Sequence, residues 1–91
     1  MAVYVDKLFN TTGLRSSKWR HNQACHMWAD DVEELHYMAR RIGLKDSWFQ
    51  AHPRLPHYDL TPNKRASAIA AGAVEGNLQE HFRKLRERER A

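Results

Sequence analysis

Apolar and polar positions along the chain predict strands and helices in alternation. The run Ala2–Val5 is β-branched and aromatic and predicts a first strand ending at Asp6, while the short apolar run Ala24–Ala29 predicts a second. A polar stretch that contains Gly13 separates them and is typical of a loop. The apolar segments HYDL and AVEG predict two further short strands, and DSWFQAH fits a helical turn and a strand equally well.

Three segments carry helix signals. Each opens on a side chain that can accept a backbone hydrogen bond, and the first two end near a glycine, Gly43 and Gly72. The first helix opens at Asp30, with Glu33 three residues later. The second opens at Thr61, which Pro62 follows, and the third opens at Asn77, with Glu80 three residues later. Apolar side chains recur at helical spacing in the first helix (Val32, Leu35, Met38, Ala39, Ile42) and in the third (Leu78, Phe82, Leu85).

The order strand, strand, helix, strand, helix, strand, helix predicts a small α/β or α+β domain, with three to four short strands and three helices. We expect one domain over residues 1–91, with a core at about 2–74 and a charged C-terminal helix at about 77–90. The carboxyl ends of parallel strands meet at one edge of a sheet, where ligands usually bind. This arrangement would bring Asp6, the turn at Asp30 and the segment Asp59–Thr61 together.

The composition fits a folded chain and excludes some classes of protein. Hydrophobic residues make up 42% and charged residues 29%, which is ordinary for a globular domain. No stretch approaches the roughly 18 apolar residues of a membrane span, and the first residues lack the features of a signal peptide. Cys25 is the single cysteine, so there is no disulfide framework. We expect a cytoplasmic protein with no membrane partner and no resident cofactor.

Two loops, GLRSSKWRHNQ and HPRLPHYDLTPNKR, carry basic residues that few acidic residues balance, whereas the tail FRKLRERERA alternates in sign, which is typical of a solvated helix face. The net charge of +4 favours anionic partners in general. Arg54 stands between two prolines, so its guanidinium is held at little cost in entropy, and an arginine fork suits phosphate. The helix start at Thr61 adds free N–H groups and a favourable dipole for an anion.

These features predict a site for a phosphate-bearing, nucleotide-like small molecule. Aromatic side chains beside cations can stack a base while the cations hold phosphate. So small a chain buries only about two-thirds of its unfolded surface, and a homo-oligomer would form a deep pocket more easily. We expect Trp28 and Trp48 in the core, because a large indole usually stays buried. The predicted ligand-binding residues are Arg54, His57, Tyr58, Thr61, Lys64 and Arg65, with Trp19 and Arg20 from the first basic loop.

Two other functions stay open on the sequence alone. A nucleic-acid-binding protein would use the same cations for phosphate contacts. A metal-dependent phosphodiesterase or nuclease would use Asp6, His26, His57 and Asp59, since two histidines and a carboxylate can hold a divalent metal and leave positions for water. Against it, the spacing matches no specific metal motif, and we expect His57 and Asp59 to point to opposite faces of their strand.

Several segments resemble one family of small bacterial and phage proteins. They are VYVD, CHMWAD, EELHYMARRIGL, SWFQAHPRLPHYDLTPNKRA and AGAV, which cover roughly Ala2–Val74, and the HYDL–TP–KRA portion is the most specific. The family is a domain of unknown function, number four-zero-three-one. The resemblance implies a bacterial host or a phage-infected cell and brings no activity, cofactor or catalytic residue. By analogy with small phage proteins, it suggests a counter-defence sponge that sequesters a cyclic-nucleotide or ADP-ribose-type immune signal.

Overall fold

Six strands form the sheet in the computed structural model, which describes residues 2–11 and 22–90. The strands are β1 (Val3–Val5), β2 (Phe9–Asn10), β3 (Gln23–Ala29), β4 (Gln50–His52), β5 (Leu55–Leu60) and β6 (Val74–Glu75). The helices are α1 (Val32–Arg41), α2 (Pro62–Ala70) and α3 (Leu78–Arg90), with a 3-10 turn at Asp46–Trp48. The predicted mixed class with three helices is confirmed. The sheet has more strands than predicted, because β2 and β4 are too short to leave a clear alternating pattern.

The strand order is β4-β5-β3-β1-β6, and β2 pairs with β3. β3 runs antiparallel to β1, β2 and β5, whereas β1 and β6 are parallel. Because β1 and β5 both run opposite to β3, Asp6 and Asp59 approach the same edge of the sheet. Asp30 follows β3 and therefore lies at the other edge, so the expectation that it joins them was wrong.

One face of the sheet forms the core with α1 and α2. Its side chains alternate with those of the other face, as the period of a strand requires. The buried residues of this face are Val3, Val5, Cys25, Met27, Tyr58 and Leu60, and the helices add Leu35, Met38, Ala39 and Ala68. Burying each large apolar side chain stabilises the fold by about 1.5–3 kcal/mol. The core thus fixes the strands whose opposite face carries the polar residues described below.

The N-terminus of α1 differs from the prediction by one residue. Asp31 is the cap, and its Oδ1 accepts a hydrogen bond from the Glu34 N–H at 2.8 Å. The predicted cap, Asp30, instead accepts hydrogen bonds from the Ala2 N–H at 2.9 Å and the Tyr4 hydroxyl at 3.0 Å. Because two aspartates are consecutive, the sequence does not show which of them caps the helix. The hydrogen bonds of Asp30 with the start of β1 leave Asp31 as the cap.

The other helix boundaries follow the predicted signals. Thr61 Oγ1 accepts the Lys64 N–H, and Asn77 Oδ1 accepts the Glu80 N–H, both at 3.2 Å. Gly43 follows α1 with a φ of 84°, a left-handed conformation that glycine adopts without strain. No helix in the part of the chain that the structure describes is long and apolar enough to cross a membrane.

The two described tryptophans differ in burial. Trp28 is 2% exposed, and its ring centroid lies 5.8 Å from that of Tyr4 and 5.9 Å from that of His81 in α3. The helix α3 therefore covers the Trp28 end of the second face of the sheet. Trp48 is 48% exposed, so the expectation that it lies in the core was wrong. The 3-10 turn holds it at the surface, where the Lys45 ammonium lies 5.6 Å from its ring centroid.

Candidate metal centre

Four polar side chains lie together on the second face of the sheet. Backbone pairing puts His26 of β3 opposite Asp59 of β5. Asp6 follows β1 beside His26 and donates its N–H to the His26 carbonyl at 3.2 Å. His57 precedes Asp59 by two residues, so both side chains emerge on the same face. The expectation that these two point apart was wrong, because side chains two positions apart in a strand share a face.

Asp6 fixes the orientation of the His26 ring. Its Oδ1 accepts the backbone N–H of His26 at 2.6 Å, and its Oδ2 lies 2.8 Å from Nδ1 of the same residue. An ionised carboxylate can only accept, so Nδ1 carries the proton and Nε2 keeps its lone pair when the ring is neutral. Phe9 stacks on the imidazole with ring centroids 5.2 Å apart. The nitrogen of His26 that remains for a ligand is therefore Nε2.

A similar contact orients His57. Its Nδ1 lies 2.7 Å from the Leu55 carbonyl oxygen, which can only accept, so Nδ1 is again the protonated nitrogen. The Nε2 atom lies 3.5 Å from Asp59 Oδ1. The other oxygen of Asp59 accepts a hydrogen bond from the Gln50 amide. The His26 and His57 rings meet edge to face, with centroids 5.4 Å apart.

The environment shifts the pKa values of the two β5 residues in opposite directions. The hydrogen bond with Asp59 raises the pKa of His57, although partial burial opposes the rise. Burial by itself would raise the pKa of Asp59, but the hydrogen bonds from His57 and Gln50 outweigh it and hold that pKa below its usual value. Without a metal, the imidazolium of His57 and the carboxylate of Asp59 are thus stabilised as an ion pair.

The arrangement fits a divalent metal ion. One ligand atom from each of His26, His57 and Asp59 lies within 4.8 Å of the other two. Bonds of about 2.0–2.2 Å to imidazole nitrogen and carboxylate oxygen put ligand atoms up to about 4 Å apart, so small side-chain movements would close the site. Two imidazoles and a carboxylate suit zinc, iron and other transition metals and leave coordination positions open.

The cations predicted to bind phosphate each contact a different protein group. Arg54 pairs with Glu89 of α3 at 2.8 Å. Lys64 donates from Nζ to a carbonyl oxygen at the C-terminus of α1 at 2.7 Å. Arg65 donates from Nε to the Asp6 carbonyl oxygen at 2.8 Å and so borders the candidate metal centre. These three residues do not form one cluster around a shared partner.

The other predicted ligand-binding residues are divided between the core, a helix cap and the centre. Tyr58 is fully buried, and its hydroxyl lies 2.8 Å from Nδ1 of His36. Thr61 is the cap described above, and His57 belongs to the candidate metal centre. The positions outside the described residues are Trp19 and Arg20.

Sequence reasoning missed two residues that contact the centre. Gln50 lies in the segment whose structure the sequence left undecided, and no local spacing connects it with Asp59. Phe9 belongs to a two-residue strand and reaches His26 through the pairing of β2 with β3. Both contacts depend on which strands are neighbours, and the chain order alone does not determine that.

The fold and the site define a small α+β protein with a centre of two histidines and one carboxylate. The family model described as a protein of unknown function (DUF4031) matches residues 3–88. The chain therefore belongs to this family, which confirms the resemblance noted in its sequence. No curated protein and no solved structure matches the chain. Its function has to be argued from the site itself.

Proposed function

We propose that this protein binds a divalent metal ion through His26, His57 and Asp59 and uses it to hydrolyse a phosphoester. The observation that carries the proposal is the common orientation of the two imidazoles. Each Nδ1 lies against an oxygen acceptor, at 2.8 Å from Asp6 and 2.7 Å from the Leu55 carbonyl, which directs both Nε2 atoms away from these acceptors. The Nε2 atom of His57 pairs with Asp59 in the metal-free protein and would bind a metal after losing its proton. Histidines that bind metals almost always have their other nitrogen engaged in this way.

The number of ligands favours a catalytic site over a structural one. Structural zinc sites are usually closed by four protein ligands, whereas catalytic sites use three and keep a position open. The side chains of His26 and Asp59 are 26% and 37% exposed, so a substrate can reach the centre. A divalent metal at such a site activates water at neutral pH and polarises a phosphoryl oxygen. Asp6 and Gln50 would keep two of the ligands in position.

Charge supports an anionic substrate. The chain carries a net charge of +4, which raises the local concentration of anions. The Arg65 side chain is 18% exposed, pairs with Glu75 at 3.5 Å and contacts the Asp6 backbone. Its partly buried charge therefore lies next to the centre. Phosphoesters combine negative charge with a reaction that metal ions assist well.

Sequestration of a nucleotide-like immune signal by a homo-oligomer in a phage-infected cell stays a prediction. Its proposed cations, Arg54, Lys64 and Arg65, contact three separate protein groups, so the metal-dependent hydrolase has the stronger geometric support. Simple nucleic-acid binding also stays a prediction, with the steep salt dependence that phosphate contacts cause.

The test is metal binding followed by turnover. Chelator-treated protein is titrated calorimetrically with Zn²⁺, Mn²⁺ and Co²⁺, and hydrolysis of bis(4-nitrophenyl) phosphate is measured with each metal. We expect one metal ion per chain. His57→Ala should lower the metal affinity by more than the roughly 10–100-fold that is typical when a hydrogen-bond partner of a ligand is changed. His52→Ala removes an exposed histidine of β4 and serves as the matched control. Metal binding without turnover would reject the hydrolase, and unchanged binding in His57→Ala would reject the centre.

A further inference from the structure

A groove of about 330 Å³ lies between α3, the second face of the sheet and the start of α1, beyond the candidate metal centre along β3. Tyr4 and Trp28 form its aromatic floor, and Leu35, Pro56 and Leu85 contribute apolar walls. Its volume is near the lower end of the range of small-molecule sites, about 300–1,000 Å³. His26, His57 and Asp59 do not line this groove, so it is separate from the centre proposed above.

The acidic residues that line the groove already bind protein groups. Asp30 accepts from the Ala2 N–H and the Tyr4 hydroxyl at 2.9 and 3.0 Å. Asp31 caps α1, as described above. Glu80 forms an ion pair with Arg83 one turn further along α3. These contacts occupy the carboxylate oxygens, but only Glu80 has its charge balanced by a cation.

The basic residues of the same groove are less engaged. Lys84 and Arg88 stand four positions apart on α3, line the groove and form no ion pair with any residue that the structure describes. Arg54, on the opposite wall, pairs with Glu89 at 2.8 Å. The Nε2 atom of His81 is buried beside Trp28 and has no hydrogen-bond partner among the described residues. A buried polar atom without a hydrogen-bond partner is destabilising, and a bound ligand could supply the missing partner.

We propose that this groove binds a small ligand with a planar apolar body and an anionic group. The body would pack between the aromatic floor and Leu85, and the anion would lie against Lys84 and Arg88. His81 would supply a hydrogen bond from the Nε2 atom that now lacks a partner. The proposal goes beyond the metal-dependent hydrolase, because it uses none of the metal ligands and requires no metal.

The probe is 8-anilinonaphthalene-1-sulfonate, titrated by fluorescence in the presence of a chelator. Its uncharged counterpart, N-phenyl-1-naphthylamine, has the same aromatic skeleton without the sulfonate. The variant Lys84→Gln/Arg88→Gln removes the two groove cations. The matched control Arg86→Gln/Arg90→Gln removes two exposed cations of the same helix that do not line the groove. All four side chains are exposed, and circular dichroism checks that each variant keeps its helices.

We expect the sulfonate to bind once per chain and at least about tenfold more tightly than the uncharged compound, as one or two charge-assisted contacts allow. Lys84→Gln/Arg88→Gln should remove most of this preference, while the control should change affinity less than about twofold. His81→Phe, which keeps a ring beside Trp28, should weaken sulfonate binding by several-fold. Equal binding of the two compounds, or equal losses in the two double variants, would overturn the proposal.

Discussion

The Asp6 carboxylate accepts two hydrogen bonds from His26, one from its backbone N–H at 2.6 Å and one from its ring Nδ1 at 2.8 Å. The first bond ties the residue after β1 to β3, and the second sets the tautomer of the imidazole. Asp6 is not among the residues whose ligand atoms lie within 4.8 Å of one another. In the proposed metal centre Asp6 is therefore the partner of His26 and not a ligand.

Asp6→Asn should weaken metal binding about 10–100-fold, in the range known for outer-shell partners. The amide oxygen can still accept the backbone N–H of His26, so the strands should stay paired. The amide nitrogen would then face Nδ1 and favour the tautomer that carries its proton on Nε2, the nitrogen needed for the metal. Calorimetric titration with Zn²⁺ measures the effect.

The control for this experiment is Asp46→Asn, which changes an aspartate with a side chain 75% exposed in the 3-10 turn. Its metal affinity should equal that of the wild type. If Asp6→Asn also keeps wild-type affinity, the tautomer argument fails, and the orientation of His26 does not depend on this carboxylate.

The ion pair of His57 and Asp59 should give the metal-free protein a pH-dependent stability. The pKa of His57 is raised in the folded state, so its contribution is fully present below the unfolded value of about 6.5 and is lost as pH rises through the folded value. The pKa of Asp59 is lowered, so its contribution is present above the unfolded value of about 3.8 and is lost as pH falls through the folded value. The pair stabilises most between about pH 4 and 6.5.

Denaturant unfolding of the metal-free wild type and of His57→Gln, at several pH values, measures this contribution. The difference in unfolding free energy should be largest near pH 5–6 and should shrink on either side of that window. His52→Gln, in which an exposed histidine of β4 is changed, should show no such maximum. A difference that stays constant from pH 4 to pH 9 would contradict the prediction.

The sequence predicted those parts of the fold that depend on local signals. The strands around Val3–Val5 and Leu55–Leu60 and the caps Thr61 and Asn77 follow from side chains within a few residues of each other. The cap of α1 and the exposure of Trp48 could not be predicted from such local signals, because contacts between residues distant in sequence determine them. We also expected Asp30 to lie at the same edge of the sheet as Asp6 and Asp59. This was wrong because β3 runs antiparallel to β1 and β5, and strand direction depends on how the whole chain pairs.

The candidate site shows the same division. Asp6, His26, His57 and Asp59 can be selected by residue type. The two-residue spacing of His57 and Asp59 places them on one face, and our expectation of opposite faces misread this spacing. Their convergence depends on the order β5-β3-β1, which no local pattern gives. The supporting contact from Gln50 depends on the edge strand β4 and was therefore beyond sequence reasoning.

Tyr58→Phe should lower stability without affecting the candidate metal centre. Tyr58 lies between His57 and Asp59 in β5, but alternation points its side chain into the core, where the hydroxyl contacts His36 Nδ1 at 2.8 Å. Loss of this hydrogen bond should cost about 1 kcal/mol of unfolding free energy. The metal affinity should stay that of the wild type.

Tyr37→Phe is the matched control for this change, because Tyr37 is 67% exposed on α1. It should leave both the unfolding free energy and the metal affinity unchanged. A large loss of metal affinity in Tyr58→Phe would show that the core face and the polar face of β5 are coupled.

Cys25 should resist alkylation in the folded protein. Burial, and next the charge of Asp6, raise the pKa of its thiol to about 12. At pH 8 almost none of the thiol would be ionised, and the thiolate is the species that reacts. Its side chain points to the core although His26 is its neighbour in β3, so it has no base on its own face within the strand.

Iodoacetamide should therefore modify Cys25 quickly in guanidinium chloride and hardly at all in buffer, as mass spectrometry can measure. Fast modification of the native protein would show that β3 opens readily, and a metal centre anchored on His26 in that strand could not then be rigid.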